Sequence, residues 1–344
     1  MNQSHSVPTQ RSWLDPPAKA SQSTKVQSVI ALLSGGVGAA RFALGLSSVV
    51  QPEQIRIVSN VGDDEVLHGL HISPDIDTMI YTLGNSINPD TGWGLDGDTW
   101  TVMDALSSYG GITWFRIGDR DLATHLFRTQ LLKDGESLTA ITDRIRARWN
   151  VKPKVLPVTD GRLRTVLYTG FGPQMHRLSF QEYFVRYGQQ PEISQISYEG
   201  DPDLRPTDEV IDCLENARAI VVAPSNPVLS IGPILSVPGI VNLLKQRRDK
   251  VVAISPIIAG KAVKGPAAKL MAELALEPSA FGIAQYYSDI ASCIIIDNKD
   301  EHLARSIQRS LKLKVAHTNT LMDSPVSSAN LARTALELVG EMVQ

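Results

Sequence analysis

The sequence predicts an α/β fold: a Rossmann-like, doubly wound, mainly parallel sheet carrying a helical and β-rich insertion. Three observations support this. Apolar runs of strand length, VIALL from Val29, IRIVS from Ile55, AIVVAP from Ala219, VVAISP from Val251 and CIIID from Cys293, alternate with segments of helical periodicity. The first run ends in a glycine-rich turn, SGGVGA, before the helix-compatible AARFALGLSSVV, which is the strand, turn and helix unit that opens such a sheet. Beyond the second run, Asp63, Asp64, Glu65, Asp75 and Asp77 crowd into SNVGDDEVLHGLHISPDID, where ligands of this fold class bind.

Composition narrows the possibilities. A chain of 344 residues with 43% hydrophobic content can bury one large core or two smaller ones. Its net charge of -3 gives no global attraction to nucleic acid or to an anionic membrane, so neither is expected as a partner. The two cysteines, Cys213 and Cys293, form no CxxC pair, which argues against a disulfide framework or a zinc site and makes the cytoplasm the expected compartment. Residues 1–24 are rich in Ser, Gln, Thr and Pro, lack a signal-peptide or membrane run, and are expected to be a disordered tail. Residues 25–344 then form a single α/β domain with an insertion at about 98–205.

Ser73 is positioned to cap a helix with Pro74 at its first position. Asp75 and Asp77 fall in its first turn, where each carboxylate stabilises the helix dipole by about 0.3 to 1 kcal/mol even without a ligand. From Asp98 to Trp149 the pattern is helical, with Asp98, Asp121 and Ser137 as start signals around the loop RIGDRD. From about 154 to 198 it becomes short and β-rich: KVLPV, LRTVLYT, MHRLSF and ISQISY. Alternation resumes at Ala219, with helices expected from about Pro233 to Arg248, from Gly265, and from Leu331 to Val343.

Gly35, Gly36 and Gly38 let a backbone approach a phosphate closely, and the amides at the following helix start point toward the anion. The turn is neither GxGxxG nor GxxxxGK[ST], so neither a dinucleotide cofactor nor ATP hydrolysis follows from it, and an NAD(P)-dependent oxidoreductase is disfavoured. Ser225 and Asn226 follow one apolar strand and Ser255 another, with Lys261 and Lys264 beyond; such groups suit phosphate or ribose oxygens. The crowded carboxylates call for a cation. In RIGDRDLATHLFRTQLL, Arg116, Asp119, Arg120, Asp121, His125 and Arg128 could bracket a charged substrate, or form surface ion pairs worth little. Trp93 and Trp100 could cover a planar ligand or belong to core and rim. With no nucleophile elbow, HExxH or kinase set, a covalent serine mechanism has no support.

Seven blocks in order, LSGGVGAAR, NVGDDxxLHGLxxSPDIDTxxYTL, WGLxGDTW, GDRDLATHLxRTxLL, FQEYFV, APSNPVLSIGPIL and SPIIAGKAVKGPA, closely resemble the 2-phospho-L-lactate transferase family of coenzyme F-420 biosynthesis. The resemblance runs from about residue 28 to Thr320, Leu321 and Met322. It implies a magnesium-dependent transfer in which a guanosine diphosphate-linked three-carbon acid donates its phospho-acid portion to the deazaflavin Fo, and GMP leaves. It implies that Asp77 and Arg116 contact the deazaflavin and that the glycine turn and the PSNP loop serve the guanine nucleotide. On this basis Asp64 and Asp77 are the expected catalytic carboxylates, Asp63, Asp64 and Asp77 the expected Mg2+ ligands, and a homodimer the expected assembly. Two departures, Gly161 and Arg162 where many members read TDDP, and Asn319 where many read DTLM, bear on donor choice. A non-catalytic nucleotide-binding regulator related to gluconeogenesis-factor-like proteins is the alternative.

Overall fold

Seven short strands pair in parallel throughout: β1 (Ile30–Ser34), β2 (Ile55–Ser59), β3 (Lys154–Pro157), β4 (Ala219–Val222), β5 (Val251–Ile254), β6 (Cys293–Asp297) and β7 (Lys314–Thr318). The computed structural model describes residues 29–340, so the expected tail at 1–24 lies outside the described residues. The strand order is β7-β6-β5-β4-β1-β2-β3. Every residue of β1, β4, β5 and β6 is buried, because helices cover both sheet faces; that is why these strands read as unbroken apolar runs rather than as alternation. From β1 the chain winds outward through β2 to β3, then returns to β4 on the other side of β1 and winds the opposite way. The reversal opens a crevice at the carboxyl ends of β1 and β4, where this architecture binds ligands.

Helix α1 (Gly36–Val49) lies against the closing helix Pro325–Leu338, at a spacing so close that a β-carbon on Gly45 would sit 2.4 Å from the Ser328 backbone. The closing helix starts earlier than the expected Leu331, capped by Ser324 with Pro325 at its first position. The helix expected from about Pro233 to Arg248 is broken into Pro227–Ile231, Gly232–Ser236 and Ile240–Gln246, interrupted at Pro238 and at Gly239, which adopts φ +97. The helix expected from Gly265 runs from Ala267 to Glu273.

The region expected as one insertion is divided by the sheet itself. Lys154–Pro157, grouped by sequence with the short β-rich runs, pairs with Ile55–Ser59 and forms the sheet edge. Before it come the hairpin Glu65–Leu67 with Leu70–Ile72, then α2 (Pro74–Leu83), α3 (Thr101–Ser108), α4 (Asp119–Lys133) and α5 (Leu138–Arg148). After it comes a three-stranded antiparallel sheet with Leu163–Thr169 between His176–Ser179 and Ile193–Gly200. Each excursion has a small core of its own, around Met103 and Ile117 in the first and Leu167 and Tyr183 in the second. The crevice therefore has a wall from the central sheet and a wall from the excursions.

Candidate functional site

A cavity of about 590 Å³ occupies the crevice. Gly35, Gly36, Gly38, Ser225, Asn226 and Ser255 line one side of it together with Asp63 and Asp75. The glycines are needed because the two loops touch. A β-carbon at Gly38 would lie 2.8 Å from the Pro224 carbonyl oxygen, and one at Gly35 would lie 2.7 Å from the Ser230 β-carbon. Ser225 Oγ donates to the Gly35 carbonyl at 2.8 Å and ties the loops at the point where the sheet reverses. Asn226 Oδ1 accepts from the amides of Val228 and Leu229 at 2.9 and 3.0 Å, and Ser255 Oγ donates to the Ile257 carbonyl at 3.0 Å. These side chains hold their own loops in shape while facing the cavity.

Asp75 reaches across to the glycine turn. Its Oδ1 accepts from Gly36 N at 2.8 Å, and its Oδ2 accepts from Asn60 Nδ2 at 2.9 Å. The carboxylate thus caps α1 from a distance rather than stabilising only its own helix, and it occupies the first amide of the turn expected to face a phosphate. Burial pushes its pKa up to about 6 against these two hydrogen bonds. Burial, with the Asp75 carboxylate adding to it, holds Asp63 well above the ordinary carboxylate range.

The three carboxylates expected as metal ligands are placed differently from one another. Asp63 lines the cavity, and its Oδ1 is buried with no hydrogen-bond partner among the described residues. Asp64 lies just behind the lining, where its Oδ2 meets Ser73 Oγ at 2.7 Å and His71 Nε2 at 2.8 Å, and its Oδ1 is likewise unpartnered. The Ser73 hydroxyl is engaged there and forms no side-chain cap on α2. Asp77 faces away from the cavity: both its oxygens are taken by Arg128, a fully buried guanidinium on α4, one of them at 3.0 Å. His125 stands 3.7 Å from the same carboxylate and 3.3 Å from Asp121, which accepts from Tyr81 Oη at 2.7 Å. For Asp77 to ligate a metal, it would have to release a buried ion pair.

Among the described residues no group of three His, Cys, Asp or Glu side chains is ready to hold a metal. The two unpartnered oxygens of Asp63 and Asp64 still suit a hard cation, and Mg2+ ordinarily takes one or two carboxylates, with water and substrate phosphates completing its shell.

The other wall is aromatic. Trp93, Phe115, Phe180 and Phe184 line it, and the Phe180 and Phe184 rings stack at 5.2 Å. Arg116 lines it as well, with its guanidinium 4.6 Å over the Trp100 ring. Two helices exchange caps to hold this wall. Asp98 accepts from the amides of Arg120 and Asp121 at 2.8 and 3.0 Å, across the start of α4, while Asp119 accepts from Thr101 and Val102 at 3.0 Å each, at the start of α3. A β-carbon at Gly118 would lie 2.1 Å from Asp98 Oδ2, so the spacing in GDRD reflects this crossing. Asp98 therefore caps α4, not the next helix in sequence. The walls meet at Gln181, whose Nε2 donates to the Asp63 carbonyl at 2.9 Å.

Many of the candidates named from sequence thus share one cavity: Asp63, Asp75, Trp93, Arg116, the three glycines, the pair Ser225 and Asn226, Ser255 and Lys264. Lys261 is not in the lining, and Asp64 and Asp77 stand behind it. Sequence reasoning left Arg41 and the Thr320 to Met322 loop unassigned, though all of them line the cavity. Phe180 and Phe184 fall within FQEYFV, and their spacing of four residues is the sequence signal for the pair.

The fold and the site together define a Rossmann-like protein that gathers its ligands at a topological switch point. The chain belongs to the 2-phospho-L-lactate transferase CofD family, whose model matches residues 30–332, and it is a transferase of coenzyme F-420 biosynthesis. It is similar to a phosphoenolpyruvate transferase of Nocardia farcinica, 38% identical over 315 residues covering 90% of this chain and 95% of that protein. It is also similar to the 2-phospho-L-lactate transferase of Methanocaldococcus jannaschii, 35% identical over 314 residues covering 91% and 99%. A crystallised Bacillus halodurans protein of the UPF0052 family shares the fold, with a TM-score of 0.59 at 15% identity over 90% of this chain and 99% of that one. No single helix among the described residues is long and apolar enough to cross a membrane.

Proposed function

We propose that the cleft transfers a phospho-three-carbon-acid moiety from its guanosine diphosphate-linked donor to the terminal ribityl hydroxyl of Fo, releasing GMP. One observation carries this reading: a single cavity joins a glycine turn and the carboxylates of Asp63 and Asp75 on one wall to stacked aromatic rings on the other. The polar wall suits a diphosphate and the aromatic wall a planar deazaflavin. The hydroxyl oxygen attacks the phosphorus bearing the acid, the bond from that phosphorus to the GMP oxygen breaks, and the hydroxyl proton passes to a carboxylate of the wall. Asp75 suits that role by position, since it lines the cavity beside the glycine turn.

Mg2+ fits Asp63 and Asp64 and, when bound, supplies neutralisation of the diphosphate charge. The protein's own contribution is positioning: the Gly35 to Gly38 turn and the Ser225 and Asn226 loop seat the nucleotide side, while Arg116 and the aromatic wall orient Fo. Asp77, closed by Arg128, acts behind the wall in this reading. The two buried, unpaired cysteines agree with a cytoplasmic enzyme.

The donor acid is 2-phospholactate, phosphoenolpyruvate or a phosphoglycerate, and both named relatives fall within that range. Mass spectrometry of the product formed from Fo, Mg2+ and each guanylated acid tests the reading. A product heavier than Fo by one phospho-acid unit, appearing with equimolar GMP, is expected. No adduct from any of the three donors would overturn it.

A further inference from the structure

We propose that His71 is a positioning residue that aims the free oxygen of Asp64 into the site, and that α4 holds His71 in place to do so. The inference rests on the reading of Asp64 as a Mg2+ ligand. His71 lies on the second strand of the hairpin, Leu70–Ile72, and three groups converge on it. Its backbone N–H donates to Thr129 Oγ1 at 2.8 Å, its carbonyl accepts from Arg128 Nη1 at 3.4 Å, and its ring Nε2 meets Asp64 Oδ2 at 2.8 Å. Thr129 and Arg128 are neighbours on α4, and both are buried. Arg128 is itself immobilised by its ion pair with Asp77 at the start of α2. The imidazole therefore extends from a strand fixed at both its backbone N–H and its carbonyl.

The consequence falls on the two oxygens of Asp64. His71 and Ser73 Oγ, the latter at 2.7 Å, both bind Oδ2. Oδ1 is buried with no hydrogen-bond partner among the described residues. A carboxylate bonded by two donors on one oxygen cannot rotate without losing both, so the other oxygen keeps one direction. A metal-ligating carboxylate held this way loses less freedom on binding, and removal of such a support ordinarily costs about 10- to 100-fold in metal affinity. The arrangement also assigns a purpose to the buried pair of Asp77 and Arg128, neither of which lines the cavity.

The test is the affinity of Mn2+, as a paramagnetic probe for Mg2+, in the presence of GDP, measured on wild type, His71→Leu, His71→Gln and Asp64→Ala, each first checked for an unchanged Tm. His71→Leu keeps the bulk and removes the ring nitrogen; it should weaken the ion about tenfold or more. His71→Gln keeps a donor at a similar reach and should restore affinity to within about threefold of wild type. If Asp64→Ala weakens binding and His71→Leu does not, the positioning role is overturned and the metal reading stands. If Asp64→Ala leaves the affinity unchanged, the metal reading falls and the positioning role falls with it.

Discussion

The two walls of the cleft are built by different means. The polar wall comes from loops at the ends of buried parallel strands, where Gly35, Gly38 and Ser225 lock one loop onto the other through backbone contact. The aromatic wall comes from the excursions on either side of β3, held by exchanged helix caps and by small separate cores. Its rings are less sheltered: Trp93 is 50% exposed, whereas Asp63 on the facing wall is 4% exposed. The difference separates tasks. A diphosphate with a cation requires fixed dipoles and dry carboxylates, because charge stabilisation depends on preorganisation in a low-dielectric site. A planar ring requires flat apolar surface, which tolerates adjustment.

Substitutions on the two walls should therefore fail in different ways. The largest effect is expected from Asp63→Asn, which removes a buried carboxylate oxygen from the polar wall and should lower kcat on the order of a hundredfold or more while leaving KM for Fo nearly unchanged. Steady-state kinetics with both substrates checks it; a loss confined to KM for Fo would place Asp63 on the acceptor side instead. Gly38→Ala, which sets a β-carbon 2.8 Å from the Pro224 oxygen, should destabilise the fold by about 1 to 3 kcal/mol and weaken GDP, as read by thermal unfolding with and without GDP. Phe184→Ala, which deletes half of the stacked pair, should raise KM for Fo about three- to tenfold with kcat largely retained. A drop in kcat of that size or larger would mean that the ring does more than bind.

The smallest effect concerns the caps. Hydrogen bonds from Val102, Thr99 and Thr101 lower the Asp119 pKa to about 2 from 3.8. A carboxylate depressed by folding adds stability above its unfolded value, and that contribution disappears as pH falls through the folded value. Asp119→Asn should thus lower Tm slightly at pH 7, with the difference shrinking between about pH 4 and pH 2. A difference that persists unchanged at pH 2 would show that the carboxylate charge is not what holds α3.

The glycine turn and the buried strands were legible in sequence because their signals are local: an apolar run with its glycine punctuation defines a strand and turn without knowledge of neighbours. The division between Asp75 and Asp77 was not. Two residues apart on one helix, they point to opposite sides, one toward α1 and the cavity and the other toward Arg128 on α4. Spacing tells that they differ, but which side meets the ligand depends on packing with elements distant in sequence. Lys154–Pro157 posed the same difficulty, since four residues at a sheet edge carry too little pattern to reveal a parallel partner almost a hundred positions earlier. The exchanged caps of Asp98 and Asp119 were hidden for a further reason: Asp98 was expected to start the next helix in sequence and Asp119 was not expected as a cap, yet each serves the more distant helix start.

Equilibrium binding of Fo and of Mg2+ with GDP to Asp63→Asn and Phe184→Ala tests the division between the walls most directly. Phe184→Ala should weaken Fo and leave the nucleotide with its metal unchanged, whereas Asp63→Asn should remove the Mg2+ dependence of GDP binding and leave Fo unchanged. If each variant weakens both ligands equally, the cleft does not work as two separate walls.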